Sequence, residues 1–191
     1  PYGPHASQRE YVRGELVPIP ANRHHGTLGS PDDAVIPSLG GAYLQQDVSD
    51  KPQWVRAQAA FSPLARDEAF HRRYWILMLE TLMSVDELVG RVIGTLDQTG
   101  RLRDTVVIYY SDNGFSIGHH GYFGKRAPYG ESVAVPMLVR GLGVVPNTVR
   151  NELVSNLDLV ATIVELSGAH PGRLLDGRSL VPLLRGDLVP W

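Results

Sequence analysis

Asp112 and Asn113 are the first residues in this chain whose types and position suggest chemistry. They follow a short apolar run, Thr105-Val106-Val107-Ile108-Tyr109-Tyr110, and open α/β sheets place their ligands just past the C-terminal ends of such strands. A carboxylate beside a neutral amide oxygen is a hard, all-oxygen donor pair, suited to Ca2+ or Mg2+ and poorly suited to softer metals. A second reading stands beside this one, because Asn113-Gly114 is also the commonest signal for a two-residue hairpin turn. Against the hairpin, Phe115 to His120 does not alternate as a returning strand would. Downstream, His119, His120 and Lys125 lie in a loop punctuated by Gly118, Gly121 and Gly124. Imidazoles there could donate to an anionic oxygen or protonate a leaving alkoxide, and a Lys could act as a point-charge clamp on an anion. Each of these alone reads as solvated surface; their clustering favours oxyanion chemistry, which needs a cation and fixed donors together. His5, between Pro4 and Ala6, is a further imidazole in an irregular segment, with nothing local to make it catalytic.

The elements that must position these residues follow from periodicity. Residues 1–61 are rich in Pro and Gly and are expected to be irregular. Ser62-Pro63 offers a helix start. From there Tyr74, Leu77, Met78, Leu82, Val85, Leu88, Val89, Val92 and Leu96 form one apolar stripe that Gly100 would stop. The run from Thr105 to Tyr110 is β-branched and aromatic without polar alternation, which predicts a strand buried on both faces. Val133 to Val139 is a second candidate strand, with Pro136 arguing against a central position. Ser155 or Asn156 would cap a second helix that buries Leu157, Val160, Ile163, Val164 and Leu166 and ends at Gly168. Helix, strand, loop, strand, helix over residues 62–191 predicts an α/β layered sheet.

Composition narrows the classes. The chain has 191 residues, 43% of them hydrophobic, enough for one domain with a core. With 18 basic and 20 acidic residues it lacks the basic field that nucleic acid or anionic lipid would demand. Cysteine is absent, so neither a disulfide framework nor a cysteine nucleophile exists within it. No apolar run approaches the ~20 residues of a membrane span. The opening Pro1-Tyr2-Gly3-Pro4-His5 has no initiator Met and no leader pattern, so the chain is expected to start mid-protein.

The stretch from Thr105 to Arg140 resembles the second metal-binding segment of the type I sulfatases, in the alkaline-phosphatase-like superfamily. The resemblance is carried by Ser111-Asp112-Asn113-Gly114, Gly118-x-His120, Gly124-Lys125, Pro128-Tyr129 and Val135-Pro136, followed by a strand into Arg140-Gly141. Ser155-Asn156-Leu157-Asp158-Leu159 and Asp176-Gly177-Arg178-Ser179-Leu180 with Pro182-Leu183-Leu184 are similar to further sulfatase landmarks. Pro4-His5-Ala6, Asp50-Lys51-Pro52-Gln53-Trp54 and Ser84-Val85-Asp86-Glu87 most resemble the branch that includes N-acetylglucosamine-6-sulfatases and related aryl and glycosaminoglycan sulfatases. Two positions depart from the pattern: Tyr129-Gly130-Glu131 stands where an acidic pair is usual, and His119 where an acidic residue is commoner.

The resemblance implies a partial alkaline-phosphatase-like layered sandwich, α/β, with a mostly parallel sheet flanked by helices. It implies that residues 1–191 are the C-terminal portion of one catalytic domain of a sulfuric ester hydrolase, acting on aryl or carbohydrate sulfates. Asp112 and Asn113 would bind Ca2+ (Mg2+ being possible), Lys125 and His5 would contact sulfate oxygens, and His120 would lie near the substrate end. The family nucleophile is a formylglycine made within Cys/Ser-x-Pro-x-Arg. That pattern does not occur here, Ser62-Pro63-Leu64-Ala65-Arg66 having its Pro one place early. The nucleophile would therefore belong to a missing N-terminal half, and these residues alone would be inactive. Zinc-dependent relatives tend to carry Asp-His where this chain has Asp112-Asn113, and an amide oxygen favours one hard cation over zinc. The rival readings are a phosphate or phosphonate ester hydrolase of the same superfamily, or a non-catalytic fragment binding an anion, a carbohydrate or a partner surface. The implied partners are a sulfated small molecule or glycan and the missing half, with no nucleic acid and no membrane span. The resemblance suggests a periplasmic, secreted or lysosomal location.

Overall fold

The computed structural model describes residues 9–12, 15–18, 28, 42–61 and 63–191. These fall into two units. One comprises residues 1–92 and 115–127, the other 93–114 and 128–191, and each is described by itself.

The first unit begins with β1 (Arg9–Val12) and β2 (Glu15–Pro18), paired antiparallel with Arg9 opposite Pro18. Helix α1 (Gln53–Phe61) follows Pro52 directly. Both elements correct the expectation of an irregular stretch over 1–61. Ser62-Pro63 does not start the long helix either, since Pro63–Ala65 is a single 3-10 turn. Helix α2 (Glu68–Gln98) starts one turn later, where the Asp67 carboxylate accepts the Phe70 amide at 2.9 Å and so satisfies an otherwise orphaned donor of the first turn. It ends as expected at Gly100, whose positive φ of 69° closes the last turn. Two short strands, β4 (Ser116–Ile117) and β5 (Phe123–Gly124), pair antiparallel around the glycine-rich loop.

A cluster of half-buried aromatic rings packs in this unit. Phe123 packs edge-on against Phe70, Tyr74 and Phe115, with ring centroids 5.1–5.3 Å apart. Such pairs each add about 0.5–1.5 kcal/mol beyond the area they bury. The buried core beside this cluster includes Val55 and Ala59 of α1 and Ile76 of α2. The anticipated stripe on α2 is buried only in part, for Leu82, Leu88, Val89 and Val92 are exposed.

In the second unit, β3 (Val107–Tyr110) pairs antiparallel with β6 (Met137–Arg140), Val107 lying opposite Arg140. Pro136 immediately precedes β6, where its missing N–H costs no ladder bond. Val133, expected to begin that strand, instead closes a single turn of helix, α3 (Gly130–Val133), and the strand starts only at Met137. Strand β3 is not buried on both faces, because Tyr109 and Tyr110 are exposed. Every strand pair among the described residues is antiparallel, so the parallel sheet expected from the resemblance is not found in them.

Helix α4 (Asn156–Ser167) runs from an N-cap at Ser155 to Gly168 in the left-handed region, as anticipated. Its buried face is a different one, however. Leu159, Ala161 and Thr162 are buried, whereas Leu157, Val160, Ile163 and Leu166 are exposed. Leu159 packs with Leu180 and Leu183, the latter on α5 (Val181–Arg185), and with Ile108, Met137, Val154 and Trp191 around them. Each fully buried Leu contributes roughly 1.5–3 kcal/mol. Asp158 ties two of the family-like segments together. Its carboxylate accepts the Ser155 amide at 2.7 Å at the start of α4, and the Arg178 amide at 2.8 Å from the segment leading into α5. Thr162 extends the link, donating to the Asp158 carbonyl at 2.6 Å and accepting the buried Leu180 amide at 2.8 Å. These two landmarks therefore hold the fold of this unit. No helix among the described residues is long and apolar enough to cross a membrane.

Candidate active site

Asp112 and Asn113 belong to the second unit and lie in the turn that leaves β3. The hairpin reading fails, since β3 pairs with β6 and not with the residues after Gly114. Several bonds shape the turn. The Ser111 hydroxyl donates to the Asn113 carbonyl at 2.8 Å, and the Gly114 amide to the Ser132 carbonyl at 2.9 Å. Gly114 must be glycine, because a Cβ there would run into the Glu131 carbonyl. Asn156, at the start of α4, donates its side-chain amide to the Asp112 backbone carbonyl at 2.8 Å. That contact gives Asn156 a role that sequence reasoning, which took it as a possible cap and as part of a sulfatase-like segment, did not see.

The donor chemistry of the turn fits a hard cation. The Asp112 side chain is exposed, and the Asn113 side-chain amide donates to the Gly114 carbonyl at 2.8 Å; carboxylate and amide oxygens are both hard donors to a cation. No group of three or more His, Cys, Asp and Glu is gathered as a metal cage among the described residues. A cavity of about 850 Å³ in this unit lies along β6, the residues after it and α5, and includes neither Asp112 nor Asn113.

His119, His120 and Lys125 belong to the first unit. The loop that carries them is held from three sides. From 42–48, the Leu44 amide donates to the Gly118 carbonyl at 3.1 Å, the Ala42 carbonyl accepts the His120 amide at 2.8 Å, and Gln45 meets His120 Nδ1 at 3.3 Å. From α1, the Gln58 side chain makes a two-way contact with the Phe123 backbone, at 3.3 and 3.4 Å. From α2, the His71 ring lies under Gly118. His120 takes a positive φ of 55°, an uncommon conformation for a side-chain-bearing residue. His119 is buried, and its Nδ1 accepts the Ile117 amide at 3.2 Å, which makes it part of the loop's scaffold. Lys125 is exposed, next to Arg126, whose amide donates to the Tyr122 hydroxyl at 3.0 Å. His5 lies outside the described residues. His71, Tyr43 and Gln58 are contributors that sequence reasoning missed. The only local signal for His71 was its place one turn before Tyr74 on the apolar stripe.

His71 Nε2 donates to the Leu64 carbonyl at 2.6 Å, so Nδ1 of the neutral ring is free to accept from the Tyr43 hydroxyl at 3.1 Å. Burial pushes its pKa below the ordinary value of about 6.5, outweighing the Leu64 carbonyl and the carboxylates of Asp67 and Glu68, which act upward; the neighbouring His119 adds to the lowering. A folded-state pKa below the unfolded one means that the unfolded chain binds more protons. The stability due to neutral His71 is then fully present above pH 6.5 and is lost as the pH falls through the folded value. Thermal melts should show a loss of stability on acidification below pH 6.5 that is smaller in His71→Gln; identical slopes in the two proteins would refute this.

Among solved structures, a phosphonate monoester hydrolase from Silicibacter pomeroyi superposes with a TM-score of 0.72 at 25% identity, covering 85% of this chain and 34% of that one. The fold is thus of the alkaline-phosphatase-like class. Within that class the chain belongs to the sulfatase family, whose model, described as Sulfatase, matches residues 45–169. It is 41% identical to human N-acetylglucosamine-6-sulfatase over 122 residues, which are 63% of this chain and 21% of that protein. It is 36% identical to an arylsulfatase of Volvox carteri over 176 residues, which are 85% of this chain and 26% of that protein. The chain therefore spans about a fifth to a quarter of the length of these relatives.

Proposed function

We propose that the chain is the C-terminal portion of the catalytic domain of a sulfuric ester hydrolase that cleaves aryl or carbohydrate sulfates. The observation that carries this reading is the family match over residues 45–169, which contains both the Asp112-Asn113 turn and the loop bearing His120 and Lys125. In this reading Asp112 and Asn113 hold Ca2+ or Mg2+ through oxygen, with the remaining ligands supplied by the rest of the polypeptide. Such a cation withdraws charge from a sulfuryl oxygen. Lys125 and His5 place positive charge and donors at the other sulfuryl oxygens, and His120 hands a proton to the leaving oxygen or orients it. The nucleophile, a formylglycine by family resemblance, lies outside these 191 residues, as does the mostly parallel sheet that would complete the layers. The substrate is a sulfated small molecule or glycan, consistent with the name of the human relative, and the compartment is periplasmic, secreted or lysosomal, a reading that rests on the family resemblance.

The phosphonate monoester hydrolase likeness supports a second reading, in which the ester is a phosphonate or phosphate. Side-by-side turnover of an aryl sulfate and an aryl phosphonate by the intact polypeptide decides between them. The sulfatase reading expects at least a hundredfold preference in kcat/KM for the sulfate, a difference of about 2.7 kcal/mol in transition-state binding. Preference for the phosphonate would replace it with the second reading, and no turnover of either would leave a binding fragment. The 191 residues alone should turn over neither substrate.

A further inference from the structure

His71 is the buried titratable group that the proposed chemistry does not use. It is only 1% exposed, and both ring nitrogens are taken, Nε2 by the Leu64 carbonyl at 2.6 Å and Nδ1 by the Tyr43 hydroxyl at 3.1 Å. It therefore has no route to a substrate. What it does touch is the loop. Gly118 turns with a positive φ of 77° directly against this ring, so closely that a Cβ on Gly118 would overlap Cε1 and stand 2.7 Å from Nδ1. The ring also stacks on Phe123, centroids 5.8 Å apart and planes 4° apart, and Phe123 is the first residue of the strand leading to Lys125. Tyr43, which donates to His71, is also bridged to His119 across the loop and meets its ring at 5.8 Å. The imidazole thus contacts the entry of the loop at Gly118 and its exit at Phe123, and holds the tyrosine that clamps its middle.

We propose that His71 is a positioning residue, whose fixed ring sets the path of the Gly118–Lys125 loop and thereby the placement of His120 and Lys125. The inference rests on the sulfatase reading of those two residues. Its geometric part does not need that reading, because the ring and the loop are in contact whatever the loop binds. A side chain that merely filled space would be replaceable by any ring of similar size. A positioning role needs the donor at Nε2 as well, since the Leu64 bond is what stops the imidazole rotating away from Gly118.

The test uses the intact polypeptide with His71→Phe, which keeps the ring and loses both polar contacts, and His71→Gln, whose amide can restore the donor to Leu64. Hydrogen exchange is followed at the amides of Gly118, His120 and Tyr122, all bonded within the loop or to Ala42. In His71→Phe these should exchange about tenfold faster or more while amides of α4 keep the parent rate, and in His71→Gln they should return towards the parent. In parallel, kcat/KM for an aryl sulfate should fall about tenfold in the Phe variant and recover in the Gln variant. Unchanged loop exchange in folded His71→Phe would overturn the proposal, as would a rise spread equally over α4. Tyr43→Phe, which removes one hydroxyl, should raise the same amides to a lesser degree. If His71→Phe does not fold, an unaltered loop in Tyr43→Phe counts against the proposal. A parent protein that hydrolyses no sulfate ester defeats the sulfatase reading, while the exchange result still decides the role of His71.

Discussion

On the proposed coordination, Asp112→Ala in the intact polypeptide is expected to abolish divalent-cation binding and to lower kcat/KM for an aryl sulfate about 10²–10³-fold. The magnitude follows from what a cation contributes at a charged transition state, several kcal/mol, with each 1.36 kcal/mol worth a factor of ten. The structure makes this substitution a clean one. The Asp112 carboxylate is exposed, and the bond that anchors the residue runs from Asn156 to its backbone carbonyl, which alanine retains. Folding stability should therefore change by no more than about 0.5 kcal/mol, as for other surface substitutions. Asn113→Ala is less clean, because its amide also braces the turn through the Gly114 carbonyl. Losing a neutral donor should cost less activity than losing the charged one. Metal content per polypeptide, read beside a thermal melt, separates the two effects. An Asp112→Ala protein that keeps its calcium and its turnover removes Asp112 from the site.

The Asp112-Asn113 turn was legible in the sequence because it needs only local information, an apolar β-branched run broken by polar residues. The helix ends at Gly100 and Gly168 and the cap at Ser155 were readable for the same reason, each being a single-residue requirement of backbone geometry. Helix α1 was lost among the prolines of the first sixty residues, although Pro52 placed immediately before Gln53 is itself a helix-start signal. On α4 apolar side chains occur all round the helix, so periodicity could not say which face Leu180 and Leu183 would cover. The sequence-based choice of Leu157, Val160 and Ile163 fell on the exposed side. The pairing of β3 with β6 depends on residues some thirty apart, and an unalternating strand is as compatible with antiparallel as with parallel neighbours. His71 was invisible for a deeper reason. Its role is defined by Tyr43, Leu64 and Gly118, and no local pattern contains all three.

Gly177→Ala tests another place where the fold leaves no room for a side chain. A Cβ at Gly177 would be driven into the Leu157 carbonyl and would stand 2.7 Å from the Asp158 amide nitrogen. These are backbone atoms at the first turn of α4, so no rotamer change can relieve the overlap, and either the helix start or the 176–180 segment must move. Moving that segment strains the Arg178 amide bond to Asp158 and the Leu180 amide bond to Thr162, the second of them buried. It also shifts Leu180, a member of the small core with Leu159 and Leu183. Overpacking costs about 1–3 kcal/mol, and a buried donor left unsatisfied adds about 1–3 kcal/mol. A total of about 3 kcal/mol corresponds to a fall in Tm of roughly 6–12 °C in a chain of this size. Asp158→Ala should lower Tm by less, since it removes the two carboxylate bonds without inserting an atom. The double variant should be less destabilised than the sum of the two singles, because both act on the same contact between the 176–180 segment and α4. Full additivity, or a Gly177→Ala protein that melts with the parent, would mean that this segment does not lock onto the helix as the structure has it.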